Sequence, residues 1–314
     1  MSKFLKIAKQ LIIGVDEVQE PKKEKGYCLK TAIGIKKDNT PLIVGVDKMV
    51  HCLIAGASGS GKGVGLQYSI ATMLAMKENV DFELYIIDVK LADFNKYEED
   101  KRVTIIPRID LNSEDDNVEL VEEASKQALE HFIFLKKELS RRVRKIAKAK
   151  VRDIGAYYNK GHRDMKPIIM VIDEYAFIKN NCADEVDKNV GDIMAIGRSV
   201  GIHIWIATQY PNHKIISKDK SGNAGARICY KVKNKVAEQV VGVEGASKLR
   251  GAGNALVDFD WEEKPIKVKI PYWGDKKSDK VFLEIAQGKR DYLGNAPQKK
   301  DRSLLYKLII GQDD

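Results

Sequence analysis

An α/β fold, with a mainly parallel sheet flanked by helices, follows from three features of the 314-residue chain. Apolar runs of strand length alternate with segments of helical period, the pattern of a sheet covered on both faces. A glycine-rich turn, Gly56-Ala57-Ser58-Gly59-Ser60-Gly61-Lys62-Gly63, joins one such run to one such helix. A second run, Ile168–Ile172, ends in the acidic pair Asp173-Glu174.

Residues 1–26 are polar and lysine-rich, and Pro21–Gly26 reads as a linker. Short strands at Thr31–Ile35 and Pro41–Val46, around a Lys-Lys-Asp-Asn turn, predict a small β-rich extension ahead of the core. His51–Ala55 is the strand entering the glycine-rich turn, and Gly65–Met76 is its helix. Glu83–Ile87 is a continuous apolar strand closed by Asp88, and Asn112–Asn117 reads as an acidic loop. Val118, Val121, Ala128, Phe132, Leu135, Leu139, Val143 and Ile146 recur at helical steps, predicting one long helix over about 118–151. A strand at Pro167–Ile172, a helix at Asp192–Val200 and a strand at Ile202–Ala207 follow. Past Tyr272 the composition turns to Lys, Asp, Gly and Ser. The expected division is therefore an extension at 1–26, one large domain at 27–272 and a weakly packed tail at 273–314.

No run approaches the length of a membrane span, and the leading apolar run is too short for a secretory signal, which predicts a soluble intracellular protein. Cys28, Cys52, Cys182 and Cys229 are scattered without metal-ligand spacing, so neither disulfides nor structural zinc are expected. The formal net charge is +9, and its distribution says more than its size. His131–Arg152 carries nine Lys or Arg, and Lys214–Lys235 carries seven against one acid. Such clusters suit sequence-independent contact with a phosphate backbone, or else form a solvated helix face and a basic loop.

The glycine-rich turn has the form G-x-x-x-x-G-K, with Gly56, Gly61 and Lys62 in the fixed places. Its glycines allow successive N–H groups to turn inward on a di- or triphosphate at the positive end of the following helix. Gly56 through Val64 form the expected nucleotide site: Gly56, Ala57, Ser58, Gly59, Ser60, Gly61, Lys62, Gly63 and Val64, with Lys62 reaching the β and γ phosphates. The eighth place usually holds a Ser or Thr hydroxyl that coordinates Mg²⁺, and here it holds Gly63. Binding should survive this change better than hydrolysis, which depends on close placement of metal and water. In the acidic pair, Asp173 is the expected Mg²⁺ residue and Glu174 the group that polarises the attacking water. Gln209, at the polar tip of the Ile204–Thr208 run, is placed to sense the γ phosphate, or is an ordinary turn residue.

The segments His51–Gly65, Ile86–Lys90, Ile169–Ala176 and Gly197–Pro211, with Ala226-Arg227-Ile228 and Gly251–Leu256, resemble the motor domain of the FtsK/SpoIIIE DNA translocases of the FtsK–HerA superfamily. Order and spacing hold over roughly 27–272. The resemblance implies a RecA-like P-loop ATPase, using ATP and Mg²⁺, that assembles as a ring, usually a hexamer, around double-stranded DNA. It also implies an arginine acting across the subunit boundary, for which Arg198 and Arg227 are the candidates, each with a plain salt bridge as its alternative. Lys90 resembles the family's Asp-x-Lys string. Lys214, Lys218 and Lys220, beyond Gln209, are the expected DNA contacts.

No membrane-spanning segment and no C-terminal winged-helix module is recognised, which points away from a complete chromosome-segregation translocase. A conjugative coupling protein or a partition motor fits better, cytoplasmic and held at the membrane only through partners such as a relaxase or transfer-channel proteins. The alternatives are a hydrolytically weak scaffold that recruits DNA or a relaxase, and a protein-secretion motor. The last class usually carries several tandem motor domains, against one here.

Overall fold

The structure, a computed structural model, describes residues 27–91, 93–107 and 120–295. A turn joins β1 (Lys30–Ile35) to β2 (Pro41–Gly45), and a single helical turn α1 (Val46–Met49) leads to β3 (Cys52–Ala55). Then come α2 (Lys62–Ala75), β4 (Glu83–Ile87), β5 (Val103–Ile106), α3 (Leu120–Lys148) and α4 (Ile154–Asn159). The acid-tipped strand β6 (Ile168–Ile172) is followed by α5 (Tyr175–Asn181), α6 (Ala183–Val200) and β7 (Ile202–Thr208). The chain closes with α7 (Lys218–Asn223), β8 (Ala226–Tyr230), α8 (Lys235–Val241), β9 (Asn254–Phe259), β10 (Ile266–Lys269) and α9 (Asp275–Ala286).

The ten strands among the described residues join one sheet in the order β2-β1-β10-β9-β8-β3-β7-β6-β4-β5. The half from β8 to β5 is parallel throughout, and β9, β10, β1 and β2 continue it as antiparallel neighbours. The expected N-terminal β-rich segment is thus the far edge of the main sheet, tied in through β1 and β10. Every residue of β3, β6 and β7 is buried, because helices cover both faces there. Side chains of these strands have no access to water except at the strand ends. Polar groups concentrate at those ends: Asp88 after β4, Asp173-Glu174 after β6 and Thr208-Gln209 at the tip of β7.

The predicted long helix is α3, and its stripe Ala128, Phe132, Leu135, Leu139 and Ile146 is buried as expected. Val118 lies outside the described residues. Val143 departs from the expectation, being 39% exposed, and Arg142 takes its place at 2%. Arg142 is three residues after Leu139 and four before Ile146, so it shares their face. Its guanidinium donates to the Val200 carbonyl at 3.0 Å and the Lys166 carbonyl at 2.7 Å, and to Glu138 Oε1 at 2.7 Å. These carbonyls, at the end of α6 and just before β6, would otherwise be buried near the helix's negative pole.

The expected weakly packed tail is corrected over 273–295. Val281, Phe282 and Ile285 of α9 are core residues, Phe282 packs against Tyr68 and Trp273, and Tyr68 Oη donates to the Tyr292 carbonyl at 3.0 Å. The three apolar residues share one helix face, and the lysines and aspartates around them hid that face in the composition. The expected acidic loop at 112–117 and the N-terminal 1–26 fall outside the described residues.

Two histidines are built into the parallel half in neutral form. The Nδ1–H of His203 donates to the Val50 carbonyl at 2.6 Å, and its Nε2 accepts from the Tyr27 hydroxyl at 2.6 Å. His51 Nδ1 accepts the Ile204 N–H at 2.9 Å. Burial pushes His51 down to about 3 and His203 down to about 4. The unfolded chain takes up both protons near pH 6.5, whereas the folded chain resists them until far lower pH. Their contribution to stability is whole above about pH 6.5 and is lost as pH falls toward the folded values, by about 1.4 kcal/mol per pH unit for each group. Urea unfolding midpoints are expected to be flat from pH 8 to 7 and to fall between pH 6.5 and 5, above the range where carboxylates titrate. A midpoint unchanged down to pH 5 would show that the rings protonate freely in the folded chain.

Candidate functional site

The glycine-rich turn begins where β3 leaves the sheet between β7 and β8. The Gly56 N–H donates to the Thr208 carbonyl at 3.3 Å and the Ala57 N–H to the Lys231 carbonyl at 2.9 Å, so the turn is pinned to both neighbours. Gly61 has φ +94°, and a Cβ there would lie 2.6 Å from the Gly253 nitrogen. A Cβ at Gly56 would meet Ser60 Oγ at 2.5 Å and Tyr230 Cβ at 2.7 Å. Both motif glycines are therefore required by backbone shape and close approach. The structure adds Gly65, where a Cβ would lie 1.7 Å from Tyr230 Oη, and Gly253, whose N–H donates to the Ser60 carbonyl at 2.8 Å. The Gly251–Leu256 string noted in the sequence thus braces the turn from β9.

Behind the turn, α2 points its unpaired N–H groups toward the ends of the parallel strands. Lys62, its first residue, is only 5% exposed, and its Nζ lies 2.8 Å from Asp173 Oδ1. A separation of 111 residues in sequence becomes a direct ion pair across the end of β7. Lys90 Nζ approaches the other oxygen, Asp173 Oδ2, at 3.8 Å. Glu174 is held by one oxygen: Oε1 accepts from the Thr208 hydroxyl at 3.0 Å and from the Gln209 N–H at 3.3 Å. Its Oε2 is buried without a partner, as is Ser60 Oγ in the turn. Gln209 is brought to this cluster chiefly by its backbone, and its residue is partly exposed at the strand tip.

Asp93 is a site residue that the sequence reading missed. The buried carboxylate of Asp88 accepts the N–H of Lys90 at 3.2 Å and the N–H of Asp93 at 3.1 Å, winding the loop after β4 around itself. This presents Lys90 and Asp93 toward Asp173. Burial, with Asp173 and Asp88 nearby, raises the Asp93 carboxyl above its ordinary range. The Asp-x-Lys string was a signal for this loop, but nothing in the spacing singled out the carboxylate five residues on.

The donor set fits a nucleotide-bound Mg²⁺. Among the described residues no group of three or more His, Cys, Asp or Glu could hold a metal by itself. Mg²⁺ usually keeps several waters and takes one or two carboxylates plus substrate phosphates, which matches a site with Asp173 facing the turn. Beyond the turn, a cleft of about 1210 Å³ is lined by Gly59, Gly61 and Val64 with Lys36, Lys269 and Tyr272 among others. It has room for a nucleoside next to the phosphate loop.

The other predicted residues lie apart from this cluster. Arg198 is exposed on the last turn of α6, and Arg227 is the second residue of β8, both at the sheet edge opposite the glycine-rich turn. Arg227 is engaged within its own chain, 2.7 Å from Asp260, 3.6 Å from Asp258 and donating to the Ser221 carbonyl at 3.0 Å. The structure thus realises the salt-bridge alternative for Arg227. Lys214 and Lys218 are exposed, whereas Lys220 is 4% exposed and paired with Asp187 at 2.9 Å under the ring of Tyr175. Lys220 is corrected to a packing residue, since reaching a phosphate would mean breaking a buried ion pair. Lys231 and Lys233 are exposed at the end of β8, with Lys233 over the ring of Tyr210.

The chain is similar in sequence and in fold to known proteins. DNA translocase FtsK of Clostridium tetani is 28% identical over 273 residues, covering 84% of this chain and 35% of that protein. DNA translocase SftA of Bacillus subtilis is 26% identical over 264 residues, covering 82% of this chain and 26% of that protein. The chain spans about a third or less of the length of these relatives. Among solved structures, the pCW3 conjugation coupling protein TcpA, in a monomer form with ATPγS, superposes with a TM-score of 0.65 at 22% identity, covering 86% of this chain and 73% of that one. The cytoplasmic domain of the Thermomonospora curvata type VII secretion ATPase EccC gives 0.66 at 20% identity, covering 92% of this chain and 34% of that one. These likenesses show the P-loop α/β fold. Residues 15–213, more than half of the sequence, match the FtsK/SpoIIIE family, and the chain belongs to it.

Proposed function

We propose that this chain is an ATP-hydrolysing motor that moves double-stranded DNA through a ring of its own copies, in conjugative transfer or partition. The observation that carries the catalytic reading is Glu174, with one oxygen clamped by Thr208 and Gln209 and the other buried and unpartnered beside Asp173. A carboxylate held in this way has a free basic oxygen in a fixed direction.

The triphosphate would lie on the N–H groups of the glycine-rich turn, with Lys62 leaving Asp173 for the β and γ phosphates. Asp173, released from Lys62, would face the metal through water. Mg²⁺, when bound, would supply charge neutralisation to the phosphates. Glu174 Oε2 takes the proton of a water that attacks the γ phosphorus, and the bond to the bridging oxygen of ADP breaks. Gln209, on the same clamp, couples the presence of the γ phosphate to the segment carrying Tyr210 and Lys214. Arg198 is exposed and far from its own turn, which suits a contribution to a neighbour's site. The scaffold alternative rests on Gly63, and measured turnover decides between the two. The secretion-motor reading has the EccC fold likeness and no residue here that favours it.

Lys62→Ala is expected to weaken binding of a fluorescent ATP analogue by more than tenfold. Glu174→Gln should keep binding and lower turnover by about 10²-fold or more. Equal turnover in Glu174→Gln would remove this residue from the mechanism.

Arg198→Ala should bind ATP yet turn over slowly, and mixing it with Glu174→Gln chains should restore activity at interfaces pairing the intact residues. No recovery at any ratio, with rings still forming, would rule out Arg198 acting between chains.

Duplex affinity should fall with salt at a log–log slope of roughly −0.9 per phosphate contact and vary little between unrelated sequences. Replacing Lys214 and Lys218 together with alanine should flatten that slope by about two contacts' worth while leaving ATP binding intact. A strong preference for one sequence would point instead to a recruitment module.

A further inference from the structure

Gly63 differs from the other glycines of the turn. Its φ is not in the left-handed region, and the nearest atom to a Cβ placed there is Asp93 Oδ2 at 3.7 Å, an ordinary contact. Neither backbone shape nor packing requires glycine at this position, in contrast to Gly56, Gly61 and Gly65. What the missing side chain does is clear the space between the start of α2 and the Asp93 carboxylate.

That carboxylate is aimed rather than loose. Its Oδ1 accepts from Gln67 Nε2 at 3.3 Å, and Gln67 is itself oriented by Lys96 Nζ, 2.7 Å from its Oε1. Tyr97 Oη donates to the Gln67 carbonyl at 3.1 Å, and Phe94 and Tyr97 are fully buried below the loop. With the backbone N–H of Asp93 tied to Asp88, the oxygen left for a ligand is Oδ2, the one facing Gly63.

We propose that Asp93 replaces the hydroxyl missing at Gly63, its Oδ2 accepting a hydrogen bond from a water of the Mg²⁺ shell when Mg²⁺ and ATP are bound. The inference rests on the nucleotide-site reading above. It changes what Gly63 means: the position is paired with an acid on the loop after β4, and the metal is gripped from that side. A carboxylate also does something a hydroxyl cannot. With no metal between them it repels the phosphates, and with the metal present it attracts the complex.

The opposed signs give the test. Affinity for a fluorescent ATPγS analogue is measured in excess Mg²⁺ and in EDTA for the unaltered chain, Asp93→Ala, Asp93→Asn and Gly63→Ser/Asp93→Ala. Both single variants are expected to bind more weakly than the unaltered chain in Mg²⁺ and more tightly in EDTA, so that the tightening caused by Mg²⁺ shrinks by tenfold or more. Adding Gly63→Ser should recover most of that tightening, because a serine side chain fits and restores an oxygen at the usual place. Asp93→Asn keeps the shape and the acceptor for Gln67, so a folding defect in the alanine variant does not leave the idea untested. A Mg²⁺ effect unchanged in Asp93→Asn, or lost without recovery in the double variant, would overturn the proposal while leaving the nucleotide site standing. No nucleotide binding by the unaltered chain would overturn both.

Discussion

Burial of both faces of a parallel sheet is the constraint on which the rest of the molecule depends. In β3, β6 and β7 no residue reaches solvent through a face, so chemistry is confined to the loops at the strand ends. Parallel strands all end on the same side, and that side collects the glycine-rich turn, Asp88, Asp173-Glu174 and Thr208-Gln209 from four separate stretches of chain. Because β7 lies between β3 and β6, the Glu174 carboxylate meets the tip of β7, while Lys62 reaches over that tip to Asp173. The antiparallel half contributes differently: β9 sends Gly253 against the turn, and the hairpin of β1 and β2 helps wall the adjoining cleft.

A buried ion pair is a costly resting arrangement for the centre of such a site. Lys62 and Asp173 are both nearly inaccessible, and taking two charges out of water offsets much of their attraction. Under the proposed function, a triphosphate would offer the lysine a second, more strongly charged partner. Lys90, half exposed, lies within 3.8 Å of the other oxygen of the same carboxylate. The pair of Lys62 and Asp173 ties the first residue of α2 to the end of β6 across the tip of β7.

The basic character of the chain divides in the same way between structure and surface. Part of the α3 cluster is paired within the chain, Lys136 with Asp192, Arg141 and Arg142 sharing Glu138, and Lys145 with Asp164, while Lys137, Arg144, Lys148 and Lys150 are exposed. Around the ends of β7 and β8, Lys214, Lys231 and Lys233 are exposed as well, Lys233 over the aromatic ring of Tyr210. A net charge of +9 is therefore a poor guide to where a polyanion would be gripped. Distribution after pairing is the relevant quantity, because only an uncompensated cation releases bound counterions from a phosphate backbone.

Local patterns by themselves determined the α/β class, the strands leading to the candidate site, the long helix and the candidates Lys62, Asp173 and Glu174, which the fold brings together. Each of these depends on residues adjacent in sequence or repeating at a fixed period, and such signals survive without knowledge of neighbours. The packed α9, hidden among lysines and aspartates, was not legible, nor was the burial of Arg142 on an otherwise apolar stripe. Lys220 and Arg227 look in sequence like free cations of a basic segment, yet Asp187, Asp258 and Asp260 engage them from other elements. Asp93 is the clearest case at the site. Its carboxylate comes to lie opposite Gly63, thirty positions earlier in the numbering, and takes a hydrogen bond from Gln67, one helical turn further along α2. Only the tertiary structure decided these, because which charges meet across the fold is set by packing, and no period in the sequence records it.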